Sequence, residues 1–456
     1  MPSQVFIVSN SPRFALVWLL PLLACGLLSA QHNNRSGRDL QFRFSNPGAR
    51  SLGFGGAFIG LADDATAPLA NPAGSVRTAK RSASFELNYN SVDNNIPFAG
   101  GEVLQTNIFE FEFNLEQKTV PEETFQIPYL AMVFPKDKWR YGFFLHQQAN
   151  LRRVYENDSV FFCHLNSNFY PECRDADNPE FFPPSSEFME LKILNVGGSL
   201  AYAFNDAFSL GLSLFYSDFS YQADSVQVNT QIAGDAVVSR TARGDDTSWG
   251  GIAGMLWQVT EELSVGATYK YQPEFTYAAE LFATRPVPRT PANFTRPAPF
   301  KVPDSIGVGI SVNPFENITL NVDANRVYYS ELTDELVDFS GLSTQDGAIT
   351  QAMPDVTEVH VGLEWISLSK PLTLRVGYWL DPYHAPVNNV DDSQLLEGNS
   401  TDPELRDVFF LHIFEEDENH YSMGLGWTFG TKFQLDMAVD IGDFSENGTL
   451  SGIYRF

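Results

Sequence analysis

From residue 83 onward, apolar and polar positions alternate with a period of two, the pattern that puts every second side chain on one face of a β-strand. Phe85, Leu87 and Tyr89 open the series. Leu210, Leu212 and Leu214 continue it, followed by Leu263, Val265 and Ala267, and by Ile306, Val308 and Ile310. Val359, Val361, Leu363 and Trp365, then Tyr421, Met423, Leu425 and Trp427, carry it to the end of the chain. The opposite face is small and mostly uncharged: Ser209, Gly211 and Ser213; Ser264, Gly266 and Thr268; Ser305, Gly307, Gly309 and Ser311; Ser422, Gly424 and Gly426. A soluble sandwich would set Lys and Glu on its wet face. Small residues there indicate an enclosed lumen that something else fills, with the apolar face turned to lipid.

The alternation predicts strands near 82–90, 126–135, 139–153, 187–204, 207–224, 245–259, 262–282, 302–313, 316–331, 355–367, 371–382, 419–430, 432–444 and 449–456. Every second connection is short, as at Lys136-Asp137-Lys138, Asn205-Asp206 and Pro314-Phe315, and the intervening ones are mostly long. That parity is the mark of short periplasmic turns and long external loops. The predicted fold is therefore all-β, a transmembrane antiparallel barrel of about 14 strands. Closure is expected because an open strand edge in lipid would leave backbone groups unsatisfied. An even count puts both barrel ends in the periplasm. The terminal Phe456, behind Tyr454 and Arg455, is an aromatic end of the kind read by the outer-membrane insertion machinery.

Composition changes this picture little. Phe occurs 38 times and aromatics reach 14%, yet the mean hydropathy is −0.16. A helical membrane protein would need repeated apolar runs of about twenty residues, and the one long run is Phe14 to Leu28. It reads as the core of a signal peptide over residues 1–30. A competing reading takes Leu22-Leu23-Ala24-Cys25 as a lipidation motif. The net charge of −27 excludes a nucleic-acid partner, since phosphates would be repelled. Cys163 and Cys173 are expected to form a local disulfide in an exported chain, with two free thiols as the alternative. No spacing indicates a metal site or a cofactor.

Residues 31–81 differ in texture from the barrel region, 82–456. They run Gly48-Ala49-Arg50-Ser51-Leu52-Gly53-Phe54-Gly55-Gly56-Ala57-Phe58, then Ala62-Asp63-Asp64-Ala65, then Asn71-Pro72-Ala73. Segments so rich in small residues can pack closely against a Gly- and Ser-lined wall. These motifs, with Lys301-Val302-Pro303-Asp304-Ser305 and Thr357-Glu358-Val359-His360-Val361-Gly362 in the barrel, resemble the FadL-type family of outer-membrane transporters. The resemblance implies a fourteen-stranded barrel whose lumen is plugged by an N-terminal hatch. It also implies passage of long-chain fatty acids or aromatic hydrocarbons toward a lateral gap in the wall. Asn71, Pro72 and Ala73 are nominated as hatch residues. The tripeptide alone would read as an ordinary turn, but it closes a plug-like segment.

Alternation turns His146, Gln148, Asn150 and Arg152 inward on the third strand, and Lys270, Glu358, His360, Glu364 and Arg375 inward on others. A cation among His146, Arg152, Lys270, His360 and Arg375 could hold a fatty-acid carboxylate by a charge-assisted hydrogen bond. The alternative is a mutually satisfied network such as Glu358 with Arg375. The expected function is passive uptake of hydrophobic compounds by a monomer surrounded by outer-membrane lipid. A secretion-system or surface-binding scaffold on the same barrel is the second reading. No catalytic residue is nominated: His360 and Glu358 lie two apart, without a nucleophile motif.

Overall fold

The computed structural model describes residues 46–99, 103–105, 110–112, 115–157, 160–162, 180–182, 185–229, 236–283, 292–332, 350–384, 387–389, 417–443 and 445–456. The signal peptide expected over 1–30, and Cys25, Cys163 and Cys173, lie outside the described residues.

Fourteen antiparallel strands close into a barrel. In chain order they are β1 (Ser82–Ala99), β2 (Leu115–Lys136), β3 (Trp139–Asn157), β4 (Ser185–Ala203), β5 (Phe208–Asn229) and β6 (Ala236–Gln258). Two interrupted strands follow: β7 (Leu263–Tyr271 and Glu274–Ala283) and β8 (Ala292–Lys301 and Ser305–Phe315). The rest are β9 (Ile318–Val327), β10 (Val356–Ile366), β11 (Leu372–Asp381), β12 (Glu418–Phe429), β13 (Phe433–Ile441) and β14 (Ser445–Arg455). Closure is made by β1 on β14, with Ser82 across from Arg455 and Val92 across from Ser445.

Burial follows the predicted alternation. In β10 it switches at every residue, with Val359, Val361 and Leu363 exposed and His360, Glu364 and their even-numbered neighbours buried. The exposed face of the barrel is the apolar one, as a lipid-facing wall requires. Exposed aromatics gather at both rims: Trp139 lies 4.5 Å from Tyr202 at the periplasmic end, and Tyr216 lies 5.1 Å from Trp249 at the other. Among the described residues no helix is long and apolar enough to cross a membrane.

Three departures from the expected strands have local causes. First, strands such as β1 and β2 run further outward than alternation marked, because beyond the lipid level neither face needs apolar residues, as in Asp93-Asn94-Asn95. Second, the ladder of β3 on β4 slips between Gln147 and Ala149. This bulge inverts the facing of everything beyond it: Ala149 and Leu151 pack in the interior cluster, while Arg152 is exposed across from Glu190. The expectation that Asn150 and Arg152 face inward is thus corrected by one extra residue. Third, 292–301, expected to lie within a long connection, is strand although it carries Pro297 and Pro299. It pairs with β7 on one side and has no strand on the other, the edge position where proline is tolerated.

The interruptions in β7 and β8 are adjacent, at Gln272-Pro273 and at Val302-Pro303-Asp304. The buried set in β7 changes from Ser264 and Thr268 to Phe275, Tyr277 and Ala279; in β8 it changes from Ser305 and Ser311 to Ala298 and Phe300. Side chains replace missing ladder bonds: Asp304 Oδ1 accepts from Gln272 N at 2.8 Å, and Asp246 Oδ2 accepts from Thr276 N at 2.8 Å. Between Arg243 and Gly251, β6 has no ladder partner on its β7 side.

Candidate functional site

Residues 46–78 sit inside the barrel and meet its wall both through polar groups and through apolar packing, with Leu69 against Tyr129, Phe144, Phe215 and Ile252 and Leu52 against Ala438. Helix α1 (Ala49–Gly53) lies against β11 to β14, and α2 (Ala67–Ala70) leads into a 3-10 turn, Pro72–Arg77, against β4 to β6. The lumenal glycines allow this approach. A Cβ on Gly377 or Gly362 would strike the backbone of Phe54 and Gly55, and one on Gly254 would strike the Asn71 side chain. Gly55 and Gly56 have φ of 65° and 83°, a conformation that glycine adopts without strain.

The wall supplies partners for the segment's backbone. Asp323 Oδ2 accepts from Phe58 N at 2.6 Å and from Ile59 N at 2.7 Å; Glu86 Oε2 accepts from Gly48 N at 2.7 Å. Asn321, Ser264 and Ser213 donate to the carbonyls of Ala57, Gly60 and Pro68 at 3.0, 2.8 and 2.6 Å. Buried backbone groups demand such partners. Asp323 and Asn321 were not singled out in the sequence. Their signal was present as the polar phase opposite Leu320 and Val322.

Asn71 is fully buried. Its amide donates to the carbonyls of Ile59 and Met255, both at 3.0 Å, and its Oδ1 accepts from Ala73 N at 3.1 Å. One side chain thereby ties the segment to itself and to β6. Pro72 starts the 3-10 turn, and the Ala73 carbonyl accepts from Ser209 at 3.1 Å.

A chain of charges joins the segment to the wall. Arg50 pairs with Asp63, with Glu364 at 3.4 Å and with Asp64 at 3.5 Å; Arg375 holds Glu364 and Asp436, each at 2.7 Å. Burial alone would lower the Arg50 pKa, but Asp63, Glu364 and Asp64 hold it well above the usual arginine value. Burial pushes the Asp64 carboxyl up, against the pull of Arg50. Arg375 is therefore saturated by Glu364 and Asp436, and Glu358 is not its partner.

The other nominated cations are dispersed. His360 Nδ1 lies 2.7 Å from the Gly55 carbonyl and Nε2 lies 3.4 Å from Glu358. The His146 ring meets Tyr129 edge-on at 6.4 Å. Arg152 is on the outer surface, 5.9 Å above the Phe188 ring. Lys270 lies on the inward phase of β7, in the field of Glu358 and Asp323. It makes no hydrogen bond or ion pair among the described residues.

Beyond the 46–78 segment, toward the external end, the lumen becomes apolar. Phe219 stacks on Phe275 at 4.5 Å and lies 5.2 Å from Phe300, with Leu191, Ile193, Tyr277 and Val302 in the same cluster. A polar relay runs beneath it: Ser217 to Asn195 at 2.7 Å, Asn195 to Gln148 at 2.9 Å, Gln148 to Gln272 at 3.0 Å. The last contact joins strands that are far apart around the wall, β3 and β7, so the bend at Pro273 carries the β7–β8 hairpin into the lumen.

Residues 185–395 match the family model described as outer membrane protein transport protein (OMPP1/FadL/TodX). Over that stretch, a little under half of the chain, the sequence is similar to this FadL-type family. Its place is the bacterial outer membrane. The Pseudomonas aeruginosa FadL homologue is 15% identical with a TM-score of 0.59, over 89% of this chain and 97% of that one. The CymD monoaromatic hydrocarbon channel is 15% identical with a TM-score of 0.56, over 91% and 99%. The Ralstonia pickettii toluene transporter TbuX is 16% identical with a TM-score of 0.54, over 91% and 100%. At such identities these likenesses establish the barrel fold alone. A comparison with curated proteins finds no match.

Proposed function

We propose that this FadL-type protein is a passive channel for uptake of hydrophobic compounds, with residues 31–81 as its hatch. The observation that carries this reading is the order of materials along the lumen: an aromatic cluster toward the outside, then a plug held to the wall by hydrogen bonds. An apolar ligand meets the Phe219–Phe275–Phe300 surface first, where each buried methylene contributes about 0.8 kcal/mol. It passes inward when the hatch around Asn71, Pro72 and Ala73 rearranges. The interruption between β6 and β7 is the place this reading gives to a lateral route. The related channels for monoaromatic hydrocarbons and toluene support a ligand of that class.

Lys270 is the group we assign to a ligand carboxylate, because His360 and Arg375 already have partners within the protein. A fatty acid would use this cation and a hydrocarbon would not. The test is uptake of labelled oleate and labelled toluene by cells making the full chain, against cells with empty vector and cells making a variant without residues 31–45. Ligand-dependent uptake above empty cells supports the channel. Uptake equal to empty cells for both ligands would leave the surface-binding scaffold as the better reading.

A further inference from the structure

The external ends of β11 and β12 carry chemistry that a channel for apolar compounds does not need. Here β11 stops at Asp381 and β12 starts at Glu418, directly across from one another in the ladder, with His420 across from Trp379 one step further in. Asp381, Glu418 and His420 each bring one ligand atom to within 4.8 Å of the others.

His420 supplies the observation that sets this group apart from a cluster of acids. The residue is 2% exposed, and its Nδ1 lies 2.9 Å from Asp440 Oδ2. With its proton on Nδ1 the ring donates to that carboxylate and turns the Nε2 lone pair toward Glu418, the arrangement by which an outer carboxylate orients a metal-binding histidine. Nε2 is buried without a hydrogen-bond partner and is aimed at Glu418, whose Oε2 is 3.5 Å away. Asp381 Oδ1 is also buried without a hydrogen bond, with His384 Nδ1 at 3.4 Å. The Trp379 ring lies 3.8 Å from the His420 ring at 15° and holds its plane. Ser445 donates to Glu418 Oε1 at 3.0 Å, which fixes the second carboxylate.

We propose that Asp381, Glu418 and His420 bind one divalent first-row transition-metal ion, of the zinc or manganese type, and that Asp440 positions the histidine. One imidazole with two carboxylates suits these ions, whereas an all-oxygen cage would suit calcium. The ion ties together the strand ends from which the connection between β11 and β12 departs. The same inward row includes Trp379 and His360, 5.4 Å apart, and His360 touches the plug at Gly55. This site stands independently of the uptake reading.

The test uses the full chain without a polyhistidine tag, purified in detergent and stripped with chelator. Zn²⁺ titration by calorimetry should give one equivalent, and Mn²⁺ bound at the site should show coupling to a single imidazole nitrogen by pulsed electron paramagnetic resonance. His420→Ala and Asp381→Asn should each abolish that equivalent. Asp440→Asn keeps all three ligands and should weaken binding about 10- to 100-fold, in a barrel whose thermal unfolding without metal matches the parent. Absence of a stoichiometric site in the parent chain would overturn the proposal. So would a site of unchanged affinity in His420→Ala, in Asp381→Asn, or in an Asp440→Asn barrel that unfolds as the parent does.

Discussion

The two halves of this lumen are filled by opposite means. Around residues 46–78 the wall is rich in Gly and Ser, and beside the packing of Leu69 on Tyr129, Phe144 and Phe215 the segment's backbone is held by hydrogen bonds with Asp323, Asn321, Ser213 and Ser264. Toward the outside the wall is aromatic, and Phe219, Phe275 and Phe300 pack on each other. A hydrogen bond nets only about 0.5–1.5 kcal/mol because water can replace either partner. On the channel reading proposed above, these hydrogen bonds can be exchanged for water when the plug moves. An aromatic cluster cannot exchange with water at that cost, but it can exchange with another apolar molecule. On that same channel reading, the plug is a lock that water can exchange and the aromatic cluster a surface that ligand can exchange.

The sharpest way to break this contrast is to remove the acceptor that serves two donors. Asp323→Ala would leave Phe58 N and Ile59 N buried without a partner, at about 1–3 kcal/mol for each donor. Planar-bilayer recording should show frequent open events in the variant against a closed parent. Equal closure in both would mean that the plug does not depend on the hydrogen-bonded wall. Phe219→Ala attacks the other half and should cost about 3–5 kcal/mol of barrel stability by thermal unfolding in detergent. Because the plug lies apart from this cluster, the bilayer trace of that variant should stay closed.

The sequence made the polar half legible and hid the aromatic one, for a physical reason. Small residues such as Gly211, Gly266 and Gly309 recur in strict phase with a lipid-facing row, so the lumen could be read from alternation, and the plug from the small-residue texture of residues 31–81 and the family resemblance it carries. Phe275 and Phe300 reach the lumen only because the Pro273 and Pro303 interruptions change the phase, and Ala149 because of the bulge beside it. A phase shift erases the rule that alternation relies on. Arg152 was misplaced by the same bulge. The group at Asp381, Glu418 and His420 was invisible for another reason: a long connection separates its members, and only the β11–β12 register brings them together.

Lys270 lies on the small-residue face of β7, on the inner side of the Gln272-Pro273 interruption, and sharpens the contrast by separating ligand classes. Lys270→Met keeps much of the side-chain length and removes the charge. Loss of one charge-assisted hydrogen bond is worth about 1.5–3 kcal/mol, so oleate binding measured by fluorescence displacement should weaken about 10- to 100-fold. Toluene uptake should not change. An equal loss for both ligands would place the effect in the shape of the lumen, and no loss for oleate would place its carboxylate elsewhere.

The smallest effect should come from Ser213→Ala, which removes a single donor to the Pro68 carbonyl. Ser213 is fully buried, yet the group it serves is an acceptor at the surface of a segment that is itself exchangeable. The expected cost is about 1 kcal/mol, near the mean for one neutral hydrogen bond. In the bilayer this should appear as a several-fold rise in open probability, well below the change from Asp323→Ala. Combining Ser213→Ala with Phe219→Ala tests whether the two halves are separate. Additive effects on opening and on unfolding are expected for sites without shared partners. A coupling above about 0.5 kcal/mol would mean that the aromatic cluster braces the plug, and a ligand entering the one would then loosen the other.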